Sequence, residues 1–336
     1  MRVRLRDVAD HAGVSVKTVS NVVHGYVHVS DATRGRVQAS LDELNYRANL
    51  SARSLRQGRS GVIALAVPAL DMPYFAELTR FVVLEAERHG FTVLVDQTDG
   101  LRQREQAVVT GARSHLVDGL ILSPVAMDEA ELSRTRDETP LVLLGEKIGG
   151  GDLDHVAFDN VAASRTATDH LLSLGRTRVA AIGYQAGADA RSGVATVRRA
   201  GYEEALAAAD MGIDAALTRE MDGYVRSEGA RAMASLLQES PDAVFCFNDQ
   251  LALGTLRTLA SRRVRVPEDV AVVGVDDIED GRFSTPTLST IAPDKAAVAR
   301  EAVRLLQRRL DDQEASTREV RVGFELVARE STLGIP

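Results

Sequence analysis

Two short apolar stripes separated by a glycine, close to the start of the chain, constrain the fold more than any other feature. The first stripe is Val8, Ala9 and Ala12, and the second is Val14, Val19 and Val22. Helices that meet at a tight turn need a small residue where their backbones approach and a turn residue that tolerates positive φ, and Ala9 and Gly13 meet these needs. Ser15 can then cap the second helix through its hydroxyl oxygen. The pattern predicts a helix-turn-helix.

The outer face of the second predicted helix carries residues suited to a DNA groove. We expect Val16, Lys17, Ser20 and Asn21 to point away from the valine stripe. Any small helical hairpin buries alanines and valines, but here the alanine, glycine and valine positions all agree with one motif. A third helix is predicted to open at Ser30-Asp31-Ala32-Thr33.

The composition is that of an ordinary globular protein, with 45% apolar and 26% charged residues over 336 positions. The longest apolar run, Val62–Val67, is stopped by Pro68 and is far shorter than a membrane span. The start of the chain has no apolar signal core, and the single cysteine, Cys246, suits a reducing compartment. We therefore expect a cytoplasmic protein with no membrane contact.

Charge is distributed unevenly along the chain. Residues 1–60 carry a net charge of +5, whereas the remainder carries −13. A basic head on an acidic body fits a nucleic-acid contact confined to one end. Basic tails also occur on proteins that bind no DNA, so the charge supports the motif without replacing it.

After residue 60 the pattern changes to strands that alternate with helices. The clearest predicted strands are Val62–Val67, Phe91–Val95, Gly119–Leu122, Leu141–Leu144, Val156–Phe158, Val179–Ile182, Ala243–Phe247, Val270–Val275 and Val320–Val327. Alternation of this kind predicts parallel sheets covered on both faces. Because about eight to ten strands would crowd one sheet, we expect two α/β lobes. The predicted domains are a head (1–45), a hinge helix and linker (46–60) and a body (61–336).

Polar and aromatic residues follow several of these strands, where ligands of open α/β sheets bind. They are Asp71, Tyr74, Phe75, Asp159, Asn160, Tyr184, Phe247, Asn248, Asp249, Asp276 and Asp277, with Arg198 on a nearby helix. Carboxylates, an amide and an arginine interleaved with rings suit hydrogen bonds to hydroxyls and stacking on an apolar face, as a sugar requires. The alternative is that these Asp and Asn residues only cap helices.

Signals for catalysis, a cofactor or a metal ion are weak. The body has no phosphate-binding loop and no G-x-G-x-x-G after a strand. Cys246 lies within a predicted strand, where it reads as a buried apolar residue. The histidines His89, His115, His155 and His170 lack ligand spacing. We expect no enzymatic activity, no cofactor and no metal.

Motifs in both parts of the chain resemble the lac-repressor/gal-repressor family of transcriptional regulators. In the head they are Asp7-Val8-Ala9, Ala12-Gly13-Val14-Ser15, Thr18-Val19-Ser20, Val29-Ser30, Thr33-Arg34, Leu44-Asn45-Tyr46 and Asn49. In the body they are Asn248-Asp249-Gln250, Val266–Val270, Gly274–Asp277 and Thr287–Ile291. The resemblance covers nearly the whole chain. It implies a small all-α helix-turn-helix head and an α/β, two-lobed body like a periplasmic sugar-binding protein, with the effector between lobes that three crossovers join.

The resemblance also implies roles for individual residues. Val16, Lys17 and Asn21 would read bases, and Leu55 would wedge into the minor groove at the operator centre. Phosphates would be held by Ser15, Thr18, Ser20, Ser30 and Thr33. Arg198, Asn248 and Asp276 match effector-binding positions, and Tyr224 falls near an aromatic that stacks on sugar. With the strand-end residues Asp71, Tyr74 and Phe75 they make up the predicted effector site. The expected lobes are about 61–160 with 290–320, and about 161–289 with 321–336.

The segment between head and body departs from the family pattern. A proline usually precedes the hinge asparagine, but Ala48 precedes Asn49 here, which leaves the approach less preset. Asn49 to Gln57 is shorter than the roughly 12–15 residues that an isolated helix needs in water. We therefore expect a hinge that is helical only on DNA. The chain also ends without a leucine heptad, so a zipper-made tetramer is not expected.

The sequence thus predicts a repressor that leaves a palindromic double-stranded operator when a small, sugar-like effector binds. A homodimer is expected because one hairpin reads too few bases for useful specificity. Two alternatives stay open. A purine-responsive, corepressed regulator would place flat aromatic sandwiches in the cleft. A sugar-modifying enzyme with a DNA-binding head would need a phosphate loop or paired catalytic carboxylates.

Overall fold

The computed structural model describes residues 3–23, 26, 28–46, 59–111, 116–145, 152–185 and 193–334. These residues fall into two compact units, Met1–Ser60 and Gly61–Pro336. The predicted hinge helix, including Leu55, lies outside the described residues.

The first unit contains three short helices, α1 (Leu5–Ala12), α2 (Val16–Val23) and α3 (Asp31–Glu43). Their core is apolar and buried, and its members are Val8, Ala9, Ala12, Val19, Val22, Val37 and Leu41. Gly13 ends α1 with φ of 62°, the left-handed conformation that favours glycine. The hydroxyl of Ser15 accepts a hydrogen bond from the backbone N–H of Thr18 at 3.0 Å and so caps α2. The predicted helix-turn-helix is confirmed.

The second unit is built on two sheets. Their strands are β1 (Val62–Val67), β2 (Thr92–Gln97), β3 (Gly119–Leu122), β4 (Leu141–Leu144), β5 (Asp154–Phe158), β6 (Val179–Tyr184), β7 (Thr218–Glu220), β8 (Ala243–Cys246), β9 (Ala271–Val275), β10 (Ser289–Pro293), β11 (Glu319–Val322) and β12 (Phe324–Val327). Within the described residues, the N-lobe sheet has the order β11-β5-β4-β3-β1-β2 and the C-lobe sheet the order β12-β10-β9-β8-β6-β7. Only the β10–β12 pairing among these is antiparallel. The predicted two-lobed α/β body is confirmed.

Helices cover both sheets. They are α4 (Pro73–Arg88), α5 (Arg102–Val109), α6 (Glu129–Thr135), α7 (Asn160–Ser173), α8 (Gly193–Ala208), α9 (Arg226–Leu236), α10 (Asp249–Ser261), α11 (Glu279–Arg282), α12 (Lys295–Asp311) and α13 (Glu330–Leu333). In the described part of the chain, every helix is too short or too polar to cross a membrane.

The chain crosses between the lobes at Asp159, Asp294 and Gly323, because each lies between elements of different lobes. The last two crossovers come three or four residues later than expected. The reason is that β10 continues to Pro293 in the C-lobe sheet, where Ile291 pairs with Leu326. The predicted strand Val320–Val327 is in fact two strands in different sheets, separated by Gly323.

Two helices of the C-lobe pack with almost no space between their backbones. A Cβ atom on Gly254 of α10 would lie 1.9 Å from the carbonyl oxygen of Arg226, at the start of α9. A Cβ atom on Gly229 of α9 would lie 2.1 Å from the carbonyl oxygen of Leu251. Both glycines are therefore needed for the close approach of the helices rather than for a turn.

We predict that Gly254→Ala lowers the free energy of unfolding of the body. Alanine ordinarily stabilises a helix interior, but here the helices must separate, and overpacking of this kind costs about 1–3 kcal/mol. Urea unfolding followed by circular dichroism measures the change. Gly212→Ala is the matched control, because a Cβ there meets nothing within 4 Å. Equal stability of the two variants would contradict the packing argument.

Candidate functional sites

The second helix of the head presents part of the predicted base-reading set. The side chain of Val16 is 44% exposed, Lys17 is exposed and Asn21 is half-buried. Since Lys17 and Asn21 are four residues apart on α2, they lie on the same side of the helix. Both side chains are therefore available at one surface of the head.

Hydroxyl side chains surround the N-termini of α2 and α3, where backbone N–H groups favour anions. Ser15 and Thr18 lie at the first helix start, with their hydroxyls 2.8 Å apart. Ser30 caps α3 and donates to the hydroxyl of Thr33 at 2.9 Å. Four of the five predicted phosphate contacts are thus at helix N-termini on the surface.

Ser20 does not point outward as expected. Only 8% of Ser20 is exposed to solvent, and the neighbouring Val19 is fully buried. The prediction that Ser20 faces away from the valine stripe was wrong.

A cavity of about 520 Å³ lies between the two lobes of the body, at the carboxyl ends of their strands. All seven predicted effector residues line it: Asp71, Tyr74, Phe75, Arg198, Tyr224, Asn248 and Asp276. The structure therefore brings residues from distant parts of the sequence to one place, at a size that suits a small molecule.

The N-lobe wall of this cavity is aromatic. Tyr74 and Phe75 lie in the first turn of α4, with ring centroids 5.2 Å apart in an edge-to-face arrangement. Pro73 precedes them at the first helical position, where its missing N–H leaves no hydrogen bond unmade. Asp71 is exposed in the loop before the helix. This wall offers apolar ring surface beside one carboxylate.

The C-lobe wall is organised around the buried guanidinium of Arg198. Its Nε donates to Oδ1 of Asn160 at 2.6 Å, and Nη1 donates to the carbonyl oxygen of Phe247. Its Nη2 lies 3.8 Å from Oδ1 of Asp276. Arg198 is 6% exposed and Asp276 7%. A charge pair in such a position needs these hydrogen bonds to offset its lost hydration.

Asn248 and Tyr224 complete this wall, and each also has a structural role. Oδ1 of Asn248 accepts from the backbone N–H of Leu251 at 2.9 Å and caps α10, while Nδ2 donates to the carbonyl oxygen of Tyr224 at 3.2 Å. Burial raises the pKa of Tyr224, whose hydroxyl donates to the carbonyl oxygen of Gly183 at 2.8 Å. Helix capping and a place in the cavity are compatible for Asn248.

Two strand-end aspartates hold the protein together instead of lining the cavity. Burial raises the pKa of Asp249, which accepts from the hydroxyl of Thr290 at 2.7 Å and the backbone N–H of Ile278 at 3.0 Å. Burial also opposes ionisation of Asp277, but hydrogen bonds from Arg282 and Arg329 lower its pKa below the ordinary value. Both residues therefore have structural roles, but neither caps a helix as the alternative supposed: Asn248 is the N-cap of α10 and Ile278 that of α11.

Several cavity residues were absent from the predicted site. They are Gln97, Asp99, Ser123, Gln185 and Asp222. Gln97 is the last residue of β2 and each of the others follows a strand of its lobe within a few residues, so the strand-end rule that selected Asp71 would also have found them. Among the described residues, no three His, Cys, Asp or Glu side chains are grouped to hold a metal ion.

Asp276 has an unusual ionisation equilibrium. Burial raises its pKa from 3.8 to about 6, although the charges of Arg198 and Lys295 act in the opposite direction. Near neutral pH the carboxylate form is therefore present and can accept hydrogen bonds from a ligand.

Two family models match the chain. Residues 4–49 match the model of bacterial regulatory proteins of the lacI family, and residues 168–332 match the periplasmic binding protein-like domain. The first covers the helix-turn-helix, and the second covers most of the C-lobe with the crossovers at residues 294 and 323.

Three known proteins match over nearly the whole chain. The HTH-type transcriptional repressor CytR of Escherichia coli K12 is 30% identical over 335 residues, which are 99% of this chain and 97% of CytR. The structure of the transcriptional regulator CelR with cellobiose is 30% identical, with a TM-score of 0.71, and the match covers 98% of this chain and 100% of CelR. The lac repressor dimer bound to operator and the anti-inducer ONPF is 27% identical, with a TM-score of 0.85, and the match covers 99% and 100% of the two chains.

The raised pKa of Asp276 predicts a pH dependence of stability. Because the folded-state value of about 6 exceeds 3.8, the folded protein binds more protons than the unfolded chain within this window, and stability falls as the pH rises through it. Asparagine does not titrate. From about pH 4 to about pH 7, the wild type should therefore lose unfolding free energy relative to Asp276→Asn. Urea unfolding of both proteins across this range measures the difference, and a constant difference would contradict the prediction.

Proposed function

Because this chain belongs to the LacI family of bacterial regulatory proteins, we propose that it is a repressor whose head binds operator DNA until a small molecule occupies the cleft. One observation carries the proposal. The same chain combines a helix-turn-helix that exposes Lys17 with a body cavity lined by Arg198, Asp276 and the other predicted effector residues. The relatives that match are regulators, and we propose regulation rather than catalysis.

In this proposal α2 enters the major groove. Lys17 donates to O6 and N7 of a guanine, Asn21 pairs with an adenine, and Val16 contacts an apolar base edge. The serine and threonine hydroxyls at the starts of α2 and α3 contact phosphates, which set the position of the head without reading sequence. Ser20 is left out of this set, since its side chain is buried. Leu55 keeps its predicted place in the minor groove.

We further propose that two chains bind one operator. A single head reads few base pairs, and a two-fold dimer reads both halves of a palindrome. The similar lac repressor is a dimer on its operator, which supports the same arrangement here.

A hydroxyl-rich effector fits the cavity chemistry. Carboxylates and amides from both lobes line it, among them Asp71, Asp222, Gln185 and Asn248, and such groups form several hydrogen bonds with neighbouring hydroxyls. The aromatic pair Tyr74 and Phe75 supplies a surface for the apolar face of a sugar ring. CelR, which is similar over its whole length, binds the disaccharide cellobiose. We propose a sugar as the first candidate.

A nucleobase is the second candidate, because rings line the cavity from both lobes. Tyr74 and Phe75 belong to the N-lobe and Tyr224 to the C-lobe. Aromatic faces of this kind also accommodate flat heterocycles. A thermal-shift screen of the full chain with cellobiose, ribose, adenosine and hypoxanthine distinguishes the two classes. Operators selected from random double-stranded DNA then show whether the stabilising compound releases or strengthens DNA binding, and light scattering gives the number of chains per operator.

We predict that Lys17→Ala changes which operator is preferred. Loss of its hydrogen bonds should cost about 1–3 kcal/mol on the best site and relax one base position. Selection from random DNA, followed by sequencing, measures the preference. Thr18→Val is the matched control, because losing a phosphate contact should weaken binding to all sequences while the consensus stays the same. An unchanged consensus for Lys17→Ala would refute the base-reading role.

We predict that Arg198→Ala still binds operator but no longer responds to effector. Each lost charged hydrogen bond should weaken effector binding by roughly 1.5–3 kcal/mol. Fluorescence anisotropy of a labelled operator, with and without the compound found in the screen, measures both properties. Arg199→Ala is the control, because Arg199 is the next residue, is exposed and pairs with Glu203 outside the cavity. A normal response of Arg198→Ala would show that the effector binds elsewhere.

A further inference from the structure

The turn that carries Asp276 has a strained backbone. Asp276 has φ of 119° and Asp277 has φ of 48°, although neither is glycine. Positive φ is uncommon for residues with a side chain, and it persists only where the surroundings impose it. Contacts with the surrounding structure must therefore hold this turn in its conformation, and they come from two sides.

One side of the turn is held through the carboxylate of Asp277. Arg329 donates to its Oδ1 at 2.5 Å, and Arg282 bonds its Oδ2. Both arginines belong to the C-lobe, so these bonds fix the turn within its own lobe.

The other side is held through backbone carbonyls by Lys295, the first residue of α12. Its ammonium donates to the carbonyl oxygens of Asp276 at 2.8 Å and Asp277 at 3.2 Å, and it pairs with Oε2 of Glu77. An ammonium has three N–H donors, and these three acceptors match that number. Only 8% of the lysine side chain is exposed.

Glu77 connects the same turn to the N-lobe. It lies on α4, one helical turn after Tyr74, and its Oε1 accepts from the backbone N–H of Glu279 at 3.2 Å. The carboxylate of Glu77, on the same helix as Tyr74 and Phe75, therefore contacts both Lys295 and the C-lobe segment that follows Asp276. We call Glu77 and Lys295 together the clasp.

The choice of lysine is itself unusual in this chain. The sequence has 37 arginines and only three lysines, Lys17, Lys147 and Lys295. A planar guanidinium presents its donors in a fixed fork, whereas an ammonium is a compact charge whose donors diverge. Two backbone carbonyls and a carboxylate around one atom require the second geometry.

We propose that Lys295 and Glu77 are positioning residues of the effector site. The clasp holds Asp276 in the conformation that faces Arg198, and it ties this carboxylate to the helix that carries Tyr74 and Phe75. The clasp thus couples the N-lobe wall of the cavity to the C-lobe wall. A molecule that contacts both walls then changes the arrangement of the two lobes. This inference rests on the proposed function, because it assumes that the cleft binds an effector.

Hydrogen–deuterium exchange of the ligand-free full chain tests the clasp without any effector. The backbone N–H groups of residues 276–279 are all hydrogen-bonded, to Ile291, Thr290, Asp249 and Glu77. In Lys295→Met we expect their exchange to become roughly tenfold faster or more, since the strained turn loses its carbonyl partner. Glu77→Gln keeps the side-chain shape and should act in the same direction. Arg304→Met is the matched control, because it removes an exposed ion pair with Glu301 from the same helix.

Binding measurements then separate positioning from a general structural role. Cellobiose and hypoxanthine are the probes, measured by calorimetry, together with anisotropy on operator DNA. For a probe that binds the wild type, we expect Lys295→Met and Glu77→Gln to weaken binding about tenfold or more, with the double variant little worse than either single one. Arg304→Met should keep both the probe affinity and the operator affinity within about twofold of the wild type.

Each outcome has a distinct meaning. Wild-type exchange rates at residues 276–279 in both variants would overturn the clasp. Faster exchange with unchanged probe binding would overturn the positioning role. If neither probe binds the wild type, cellobiose and hypoxanthine are excluded as effectors, while the exchange experiment still decides whether the clasp holds the turn.

Discussion

The C-lobe depends on one buried guanidinium. Arg198 has almost no contact with solvent, so its donors must be satisfied by the protein if the charge is to be tolerated. Its partners come from three separate places: Asn160 opens α7 directly after a crossover, Phe247 directly follows β8, and Asp276 directly follows β9. The arginine can be buried only when all three places are correctly folded. The cavity wall and the fold of the lobe are therefore stabilised by the same contacts.

The order of the strands brings these groups together. In the C-lobe sheet β9 lies beside β8, and β8 beside β6. All three run parallel, so the residues that follow them emerge side by side at one edge. Ligands of such sheets bind at that edge because backbone and side-chain groups converge there. The crossovers place the equivalent edge of the N-lobe opposite, and the hydrogen bond from Asp294 N–H to the carbonyl oxygen of Gly323 joins two of them at 3.0 Å.

Local features of the fold could be predicted from the sequence, whereas contacts between distant residues could not. Ala9, Gly13 and Ser15 are dictated by steric and capping rules within a few residues, and the strand-end rule selected residues that share one cavity. Three-residue β7 and the polar start of β10 carry too little apolar pattern to be recognised. The split at Gly323 was missed because the alternation of apolar and other residues continues from Val320 through Gly323 to Leu326. Lys295 and Glu77 are 218 residues apart, and no periodicity connects them.

The longest contact of Arg198 in the C-lobe wall, the one with Asp276, indicates where an effector would bind. Nε and Nη1 of Arg198 already have short hydrogen bonds, but Nη2 and Oδ1 of Asp276 are 3.8 Å apart, too far for one. A group inserted there must accept from the guanidinium and donate to the carboxylate. A hydroxyl does both through one oxygen, whereas a carbonyl oxygen only accepts. Because the existing bonds stay intact, insertion adds contacts without breaking any. This asymmetry supports the proposal of a hydroxyl-bearing ligand, which would contact the same Asp276 whose backbone the clasp connects to the N-lobe.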